Sequence, residues 1–471
     1  MGSPRVLLVT PPFDFSEMNT AGGRGTKQAG YYLLYPPIGL CSIAASLERA
    51  GFEAAVIDGQ ADAGGEEELL RLIEAARPDI VGFSVTTPAL PVVARLIRAT
   101  RERLGVPIVV GGPHVSCDPQ IVTALGADYG VVGDGEEPMV ALAESLLRGA
   151  PLDPEACGIV TPASTDPPCP ALADLNAIPS ADRKFLRNPD AYFNPFIKTR
   201  TTMLITARGC AFHCSFCCRT PSMGEYRPID EEKVFAEMEQ VSRGGHGFVS
   251  IIDETFTYDR ERALRLAREM KRRGFGFKWS CQTRADLIDA ELLREFSAAG
   301  CVNISFGVES GDPDAREEMD KKIPDAAFER AFAGCRDAGI STNAFIIIGG
   351  PDETPETIER SIRRAIELEP DYVVYNVGTL FPGTREYEQR IAAGEVDRTI
   401  WDRYLRGETQ MPALSRRLGR EELAEYLRSG YTRFYMRPRY ILKKLGSVRS
   451  ARDIFVLARQ ARTVIADYVV S

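Results

Sequence analysis

Short apolar runs alternate with amphipathic stretches along most of the 471-residue chain, and this alternation constrains the fold more than any other feature. In the first third the runs are residues 6–9, 54–57, 80–84, 108–110 and 129–132, and helix-like segments fall at 38–50, 66–76, 91–103 and 136–147. Apolar runs of three to five residues followed by 3.6-period stretches are the pattern of βα units. Five such units predict a doubly wound, Rossmann-like parallel sheet with its ligand site in the crevice beyond the carboxyl ends of the strands. The turns at that edge are Thr10-Pro11-Pro12, Asp58-Gly59, residues 84–88, Gly111-Gly112-Pro113-His114 and Gly133-Asp134-Gly135-Glu136. Glycine there lets the backbone come close to a bulky ligand.

A second series follows, with candidate strands at 202–206, 248–252, 278–282, 303–306, 342–348 and 372–377 and helical patterns such as 231–242, 260–273 and 290–299. Six βα units suggest a partial barrel related to the eight-unit form, which places chemistry at the carboxyl ends of its strands. The reactive residues fall at those ends: Cys210, Asp253-Glu254, Arg284, Glu309, Gly349-Gly350 and Phe381-Pro382-Gly383 after successive strands. The expected organisation is 1–150 for the first sheet, 151–200 for a linker with nine prolines, 201–395 for the partial barrel and 396–471 for a helical carboxyl-terminal region.

Composition narrows the class further. Apolar residues at 44% and charged residues at 26% are ordinary globular usage, which excludes bulk disorder. No run nears the 18 or so apolar residues of a membrane span, and residues 6–9, ended by Pro11-Pro12, are too short for a signal-peptide core, so a cytoplasmic protein is expected. From Trp401 to Ser471 there are 15 Lys and Arg against 7 Asp and Glu, a net +8 that leaves −17 on the first 400 residues. An acidic body argues against nucleic acid as a partner, because neutralising phosphates takes clustered cations. In the tail, Arg437 to Lys444 with Arg449, Arg452, Arg459 and Arg462 is basic. Ile454, Leu457, Ala458, Ala461, Val464, Ile465 and Tyr468 recur at helical spacing. That pattern fits a helix packed on the barrel, with weak contact to an anionic membrane as the other use of a basic amphipathic helix.

Eleven cysteines in a large chain without a secretion signal point to metal, catalysis or burial rather than disulfides. The sharpest pattern is Cys210-Ala211-Phe212-His213-Cys214-Ser215-Phe216-Cys217-Cys218, three thiols spaced C-x3-C-x2-C on a loop after a strand. Three thiolates can bind three irons of a 4Fe-4S cluster and leave the fourth open, whereas an electron-transfer ferredoxin uses four. The alternative is a structural zinc closed by Cys218 or His213. Cys281, Cys301 and Cys335 lie on apolar segments and read as packing residues.

The thiol loop and its context resemble the radical S-adenosylmethionine (radical SAM) enzymes. The resemblance implies that Cys210, Cys214 and Cys217 ligate a 4Fe-4S cluster whose open iron chelates S-adenosylmethionine, and that one electron cleaves the latter to methionine and a 5′-deoxyadenosyl radical. By the same resemblance Phe216 lies against the adenine, Asp253 and Glu254 near the methionine ammonium, and Arg284 at the methionine carboxylate. Glu309 would meet the ribose, and residues 345–350, Gly349 among them, would follow the adenine. On the residues alone, Arg284 with Asp286 is also a plausible surface pair, and Glu309 a helix-start acid.

The first domain resembles the cobalamin-binding domain of one large subgroup of that family. The matching motifs are Pro36-Pro37-Ile38-Gly39-Leu40, Ser84-Val85-Thr86-Thr87-Pro88, Val110-Gly111-Gly112-Pro113-His114 and Gly133-Asp134-Gly135-Glu136. The cobalt-ligating Asp-x-His-x-x-Gly is absent, since Asp58-Gly59-Gln60-Ala61-Asp62 stands there, so the resemblance implies base-off cobalamin without a His ligand. His114 is expected as a hydrogen-bonding pocket residue. The expected function is a cobalamin-dependent radical methyltransferase acting on an unactivated carbon, or on phosphorus, of a small molecule, with a flavodoxin or ferredoxin as reductant. The rivals are a cobalamin-dependent rearrangement or oxidative cyclisation of the anaerobic porphyrin-cyclase kind, a radical SAM enzyme that has lost cobalamin, and a cofactor-binding sensor without turnover. The substrate pocket is expected from residues 221–227, 375–384 and the stretch after Trp401.

Overall fold

The computed structural model describes residues 5–12, 34–164, 174–194, 198–218, 220, 223–446 and 458. Strands β1 (Arg5–Thr10), β2 (Glu53–Asp58), β3 (Ile80–Ser84), β4 (Ile108–Gly111), β5 (Tyr129–Val131) and β6 (Ile159–Val160) form one sheet in the order β2-β1-β3-β4-β5-β6. The first five run parallel and β6 returns antiparallel to β5. Residues 6–9 are all buried because helices cover both faces of the sheet. Val6 and Leu8 pack with Ala44, Leu47, Met139 and Leu142, while Leu7 and Val9 pack with Leu69, Ile73, Val93 and Ile97. The order reverses at β1, which puts the crevice between β1 and β3.

The second sheet contains β7 (Phe193–Asn194) and β8 (Thr199–Leu204), followed after a short β9 (Ala207–Arg208) and β10 (Arg227–Pro228) ladder by five more strands. These are β11 (His246–Ile251), β12 (Lys278–Thr283), β13 (Cys301–Glu309), β14 (Ser341–Ile348) and β15 (Tyr372–Val377). The order β15-β14-β13-β12-β11-β8-β7 curls into a half-barrel, parallel throughout except for β7. Burial alternates with period two: Thr342, Ala344, Ile346 and Ile348 of β14 are buried beneath helices, while Asn343, Phe345 and Ile347 keep solvent contact on the concave side. Aspartates start the helices that follow: Asp259, Asp289 and Asp312 each accept a backbone N–H of the first turn.

The expected linker holds more structure than its prolines suggest. It contributes β6 to the first sheet, ten residues past the expected boundary at 150, and it ties the two sheets together. Tyr192 donates to Asp58 Oδ2 at 2.9 Å, and the Arg183 guanidinium reaches Glu237 Oε1 at 2.5 Å and the Met203 carbonyl at 2.6 Å. The first barrel strand ends at Leu204, because Thr206 leaves the ladder to bond Asp253.

Beyond β15, Trp401, Tyr404, Met411 and Leu414 bury themselves against the first sheet's helices. Residues 420–435 form a helix on the free edge of β15. There the hydroxyls of Tyr431 and Tyr435 each accept one strand N–H and donate to one strand carbonyl, on Tyr375 and Val373 respectively. The basic stretch forms the helix Pro438–Gly446, anchored by Tyr440 on the Asp371 carbonyl and by Lys443 on the Asp371 carboxylate. Arg449, Arg452, Arg459, Arg462 and the apolar series from Ile454 to Tyr468, apart from Ala458, lie outside the described residues. Among the described residues no helix is long and apolar enough to cross a membrane.

Candidate active site

The carboxyl ends of the two sheets face each other across a cavity of about 660 Å³. Its first wall is the rim of the doubly wound sheet: Ser84, Gly111, Gly112, Pro113, Gly133, Gly135 and Glu136 all line it. Behind that rim it narrows to an apolar slot between Leu8, Ile43, Gly82, Val109, Val131 and Met139. The glycines make the slot: a Cβ on Gly82 would lie 3.0 Å from Leu8 Cδ2, and one on Gly135 would lie 2.7 Å from Ile43 Cδ1. Gly112 adopts φ +102°, and a Cβ there would be 3.0 Å from the Val85 backbone. A large ligand with an apolar arm fits this wall.

The second wall comes from the barrel: Ile205, Ala207, Arg208, Cys218, Ile252 and Glu254. Here the thiol loop begins. Gly209 has φ +91°, and a Cβ on it would run into the Glu225 carbonyl, so the loop can turn beneath Glu225 only with glycine. Cys210 N donates to the Met223 carbonyl at 3.3 Å, Ser215 N to the Met319 carbonyl at 3.0 Å, and Cys217 N to the Cys214 carbonyl at 3.2 Å. Crowding by protein raises the Cys214 thiol and lifts Cys217 to about 12, with neighbouring thiols adding to the latter. Neutral thiols at rest are the state that bound iron reverses, because metal charge deprotonates them.

Three thiols on one pinned loop fit a three-iron attachment. The zinc alternative fits poorly. Among the described residues no three His, Cys, Asp or Glu side chains converge on a point for one metal ion, and Cys218, which would close such a site, faces Cys117 with the sulfurs 3.0 Å apart.

Around the loop, the expected contacts sort by the face on which each side chain emerges. Glu254 lines the cavity, raised by burial against the bonds it accepts. Asp253 does not line it. It is buried, pushed up to about 6 by burial despite Thr206 N at 2.6 Å and Thr206 Oγ1 at 2.5 Å, and serves to hold the start of the thiol loop. Arg284 is buried and bidentate to Asp286 at 3.0 and 2.9 Å, its guanidinium 3.9 Å from the centre of the Phe212 ring. Glu309, at φ +64°, accepts from Lys321 Nζ at 3.0 Å. Gly349 and Gly350 donate their amides to Glu353 Oε2 at 2.7 and 2.8 Å. Phe216 packs with the first sheet's apolar cluster, and Ser84 but not Thr86 is among the lining residues.

Two further expectations change. Glu136 is not a free acceptor for a ligand, because its carboxylate takes Ser42 Oγ at 2.8 Å and Arg208 Nη2 at 2.6 Å. Burial raises it, but the Arg208 charge and these bonds outweigh that and hold it below the ordinary carboxylate range. Asp134 joins the pair, accepting Arg208 at 2.8 Å and Arg227 at 3.0 Å, so the rim of one sheet is ion-paired to the foot of the other's thiol loop. His114 is not a pocket residue. It lies in the core, with Nδ1 2.9 Å from Thr87 Oγ1 and its ring edge-on to Trp401 at 5.5 Å, and burial lowers it to about 3, so it stays neutral. Among the described residues no histidine lines the cavity.

Residues 29–143 match the family described as the B12 binding domain, and residues 204–365 match the Radical SAM superfamily. The chain is 28% identical to an uncharacterized methyltransferase of Pyrococcus horikoshii over 98% of both chains. It is also 29% identical to the anaerobic magnesium-protoporphyrin IX monomethyl ester cyclase of Cereibacter sphaeroides, over 92% of this chain and 70% of that one. Among solved structures it is similar in fold to the radical S-adenosylmethionine methyltransferase TsrM from Kitasatospora setae with cobalamin and a [4Fe-4S] cluster bound. The TM-score is 0.73 at 20% identity, over 98% of this chain and 100% of that one.

Proposed function

We propose that this chain, which belongs to the radical SAM enzymes carrying a B12-binding domain, transfers a methyl group to an unactivated carbon or phosphorus of a small molecule. The observation that carries this reading is a cavity lined jointly by the glycine-rich rim of one sheet and by Arg208, Cys218 and Glu254 beside the thiol loop of the other. Bound together there, cobalamin would supply a transferable methyl group, and S-adenosylmethionine on the cluster a hydrogen-abstracting radical.

The chain's own residues do the placing. Cys210, Cys214 and Cys217 hold the cluster, and Glu254 faces the ammonium end of S-adenosylmethionine. Lys321, paired with Glu309, sets a cation beside Cys214 and the cluster it would carry. The apolar slot around Gly82 would receive an arm of the corrinoid. Among the described residues no histidine lines the cavity, and packing and backbone contacts along the glycine-rich rim would hold the cobalamin there. The Arg208–Glu136–Asp134 ion pairs fix the distance between the two walls, which is what a transfer between two bound groups requires. Residues 1–150 with β6 form the corrinoid unit and 201–395 the radical unit, in a cytoplasmic enzyme reduced by a flavodoxin or ferredoxin. The apolar portions of both walls exclude water from the radical.

The test is to purify the protein without oxygen, reconstitute it with iron, sulfide and hydroxocobalamin, desalt, and count metals. About four irons and one cobalt per chain are expected, and product gains of one methylene on turnover. Iron without cobalt overturns the cobalamin assignment. The similarity to the cyclase over 92% of the chain supports cyclisation as the second reading, which a product that loses hydrogen or gains oxygen would establish.

A further inference from the structure

One pair of thiols, Cys218 on the cavity wall and Cys117 behind it, ligates neither the cluster nor the cobalamin in the function proposed. Cys117 and Cys218 stand 101 residues apart in sequence, one at the end of the short helix Pro113–Cys117 behind the first rim, the other directly after the thiol loop. Their sulfurs are 3.0 Å apart, about 1 Å beyond an S–S bond. Both are half-buried, and Cys218 lines the cavity, whereas Cys281, Cys301 and Cys335 are sealed in the barrel core. Cys218 Sγ also lies 3.2 Å from the Pro382 carbonyl, so the thiol is held on its partner's side of the loop rather than turned towards solvent.

We infer that Cys117 and Cys218 are a redox-modifiable thiol pair that closes to a disulfide by exchange with an oxidised low-molecular-weight disulfide, stapling the rim of the first sheet to the thiol loop of the second. One thiol, as thiolate, attacks the external disulfide and releases one small thiol. Its partner then displaces the second. Two protein thiols and one external disulfide become one protein disulfide and two small thiols, which carry away the two protons. The pair is oxidised by two electrons and the reagent is reduced by two. The bond would tether the thiol loop independently of iron and lock the cavity wall at Cys218. Pairing needs no cofactor, and only the iron readout below rests on the proposed function.

The experiment treats the anaerobic holoenzyme with excess oxidised glutathione, alkylates the remaining thiols under denaturing conditions and maps peptides without reduction. The expected result is one cross-linked peptide pair, Cys117 with Cys218, at unchanged iron per chain. Recovery of both as alkylated or separately glutathionylated residues overturns the pair. Iron lost in step with the cross-link also overturns it, by assigning Cys218 to the cluster. In Cys117→Ser, Cys218 should end as a mixed disulfide with glutathione, and its pairing with Cys210, Cys214 or Cys217 instead would defeat the inference. Untreated protein that never holds iron would count against the proposed function while the cross-link is still read.

Discussion

The two sheets obey one rule of chain order and expose opposite consequences of it. The first is covered on both faces, so its strands read as unbroken apolar runs such as Val6-Leu7-Leu8-Val9, and a ligand meets it at its edge and in the glycine-made slot behind that edge. The second is covered on one face, so Ser341-Thr342-Asn343-Ala344-Phe345-Ile346 alternates, and its concave face stays accessible as well as its edge. A ligand held by the first sheet is therefore gripped by backbone, glycine and the apolar side chains of that slot. The second can offer side chains from face and rim alike.

If the walls act separately, damage to one should spare the other. Cys214→Ala should reduce S-adenosylmethionine cleavage by about a thousandfold or more while hydroxocobalamin binding stays within about twofold. Loss of both in a cleavage assay and a cobalt count would erase the distinction. The ion pairs are where the walls depend on each other. Arg208→Ala leaves Glu136 buried without its cation and should cost about 3–5 kcal/mol in denaturant unfolding. Arg208→Met with Glu136→Gln should recover most of that loss. A change under about 1 kcal/mol would mean that the walls are not coupled here.

A smaller effect belongs to the first rim alone. His114 titrates below its unfolded value, so the unfolded chain binds the extra proton between about pH 6.5 and 3, and stability falls as pH drops through that window. The cost is about 2 kcal/mol at pH 5, and His114→Gln should flatten this part of the curve. An unchanged slope would show that His114 is solvated. Smallest of all, Gly82→Ala puts a methyl against Leu8 in the apolar slot and should weaken corrinoid binding about tenfold, with S-adenosylmethionine cleavage unaffected.

Much of this was legible in the sequence. The apolar runs locate the long strands to within a few residues, and the thiol spacing marks its loop. Strands β6, β7, β9 and β10 were not legible, because two residues carry no period. The split between Asp253 and Glu254 was available but easily overlooked. By parity Asp253 continues the buried series of Val249 and Ile251, and Glu254 the inward series of Ser250 and Ile252. The partners of Glu136, Gly349 and Gly350 were beyond reach, since Arg208 meets Glu136 only through the docking of two sheets and Glu353 folds back from a turn. His114 misled because its Gly-Gly-Pro turn marks the rim, while its side chain points into the core beneath Trp401.

The tyrosine hydroxyls along β15 also bear on how the protein behaves at high concentration. A half-barrel that does not close leaves a terminal strand whose amides and carbonyls invite pairing with another molecule. Tyr431 and Tyr435 occupy two such amides and two such carbonyls, and the helix that carries them lies over the strand. A chain cut before Arg420 would bare that ladder, and its characteristic failure would be aggregation through strand addition rather than loss of either cofactor site.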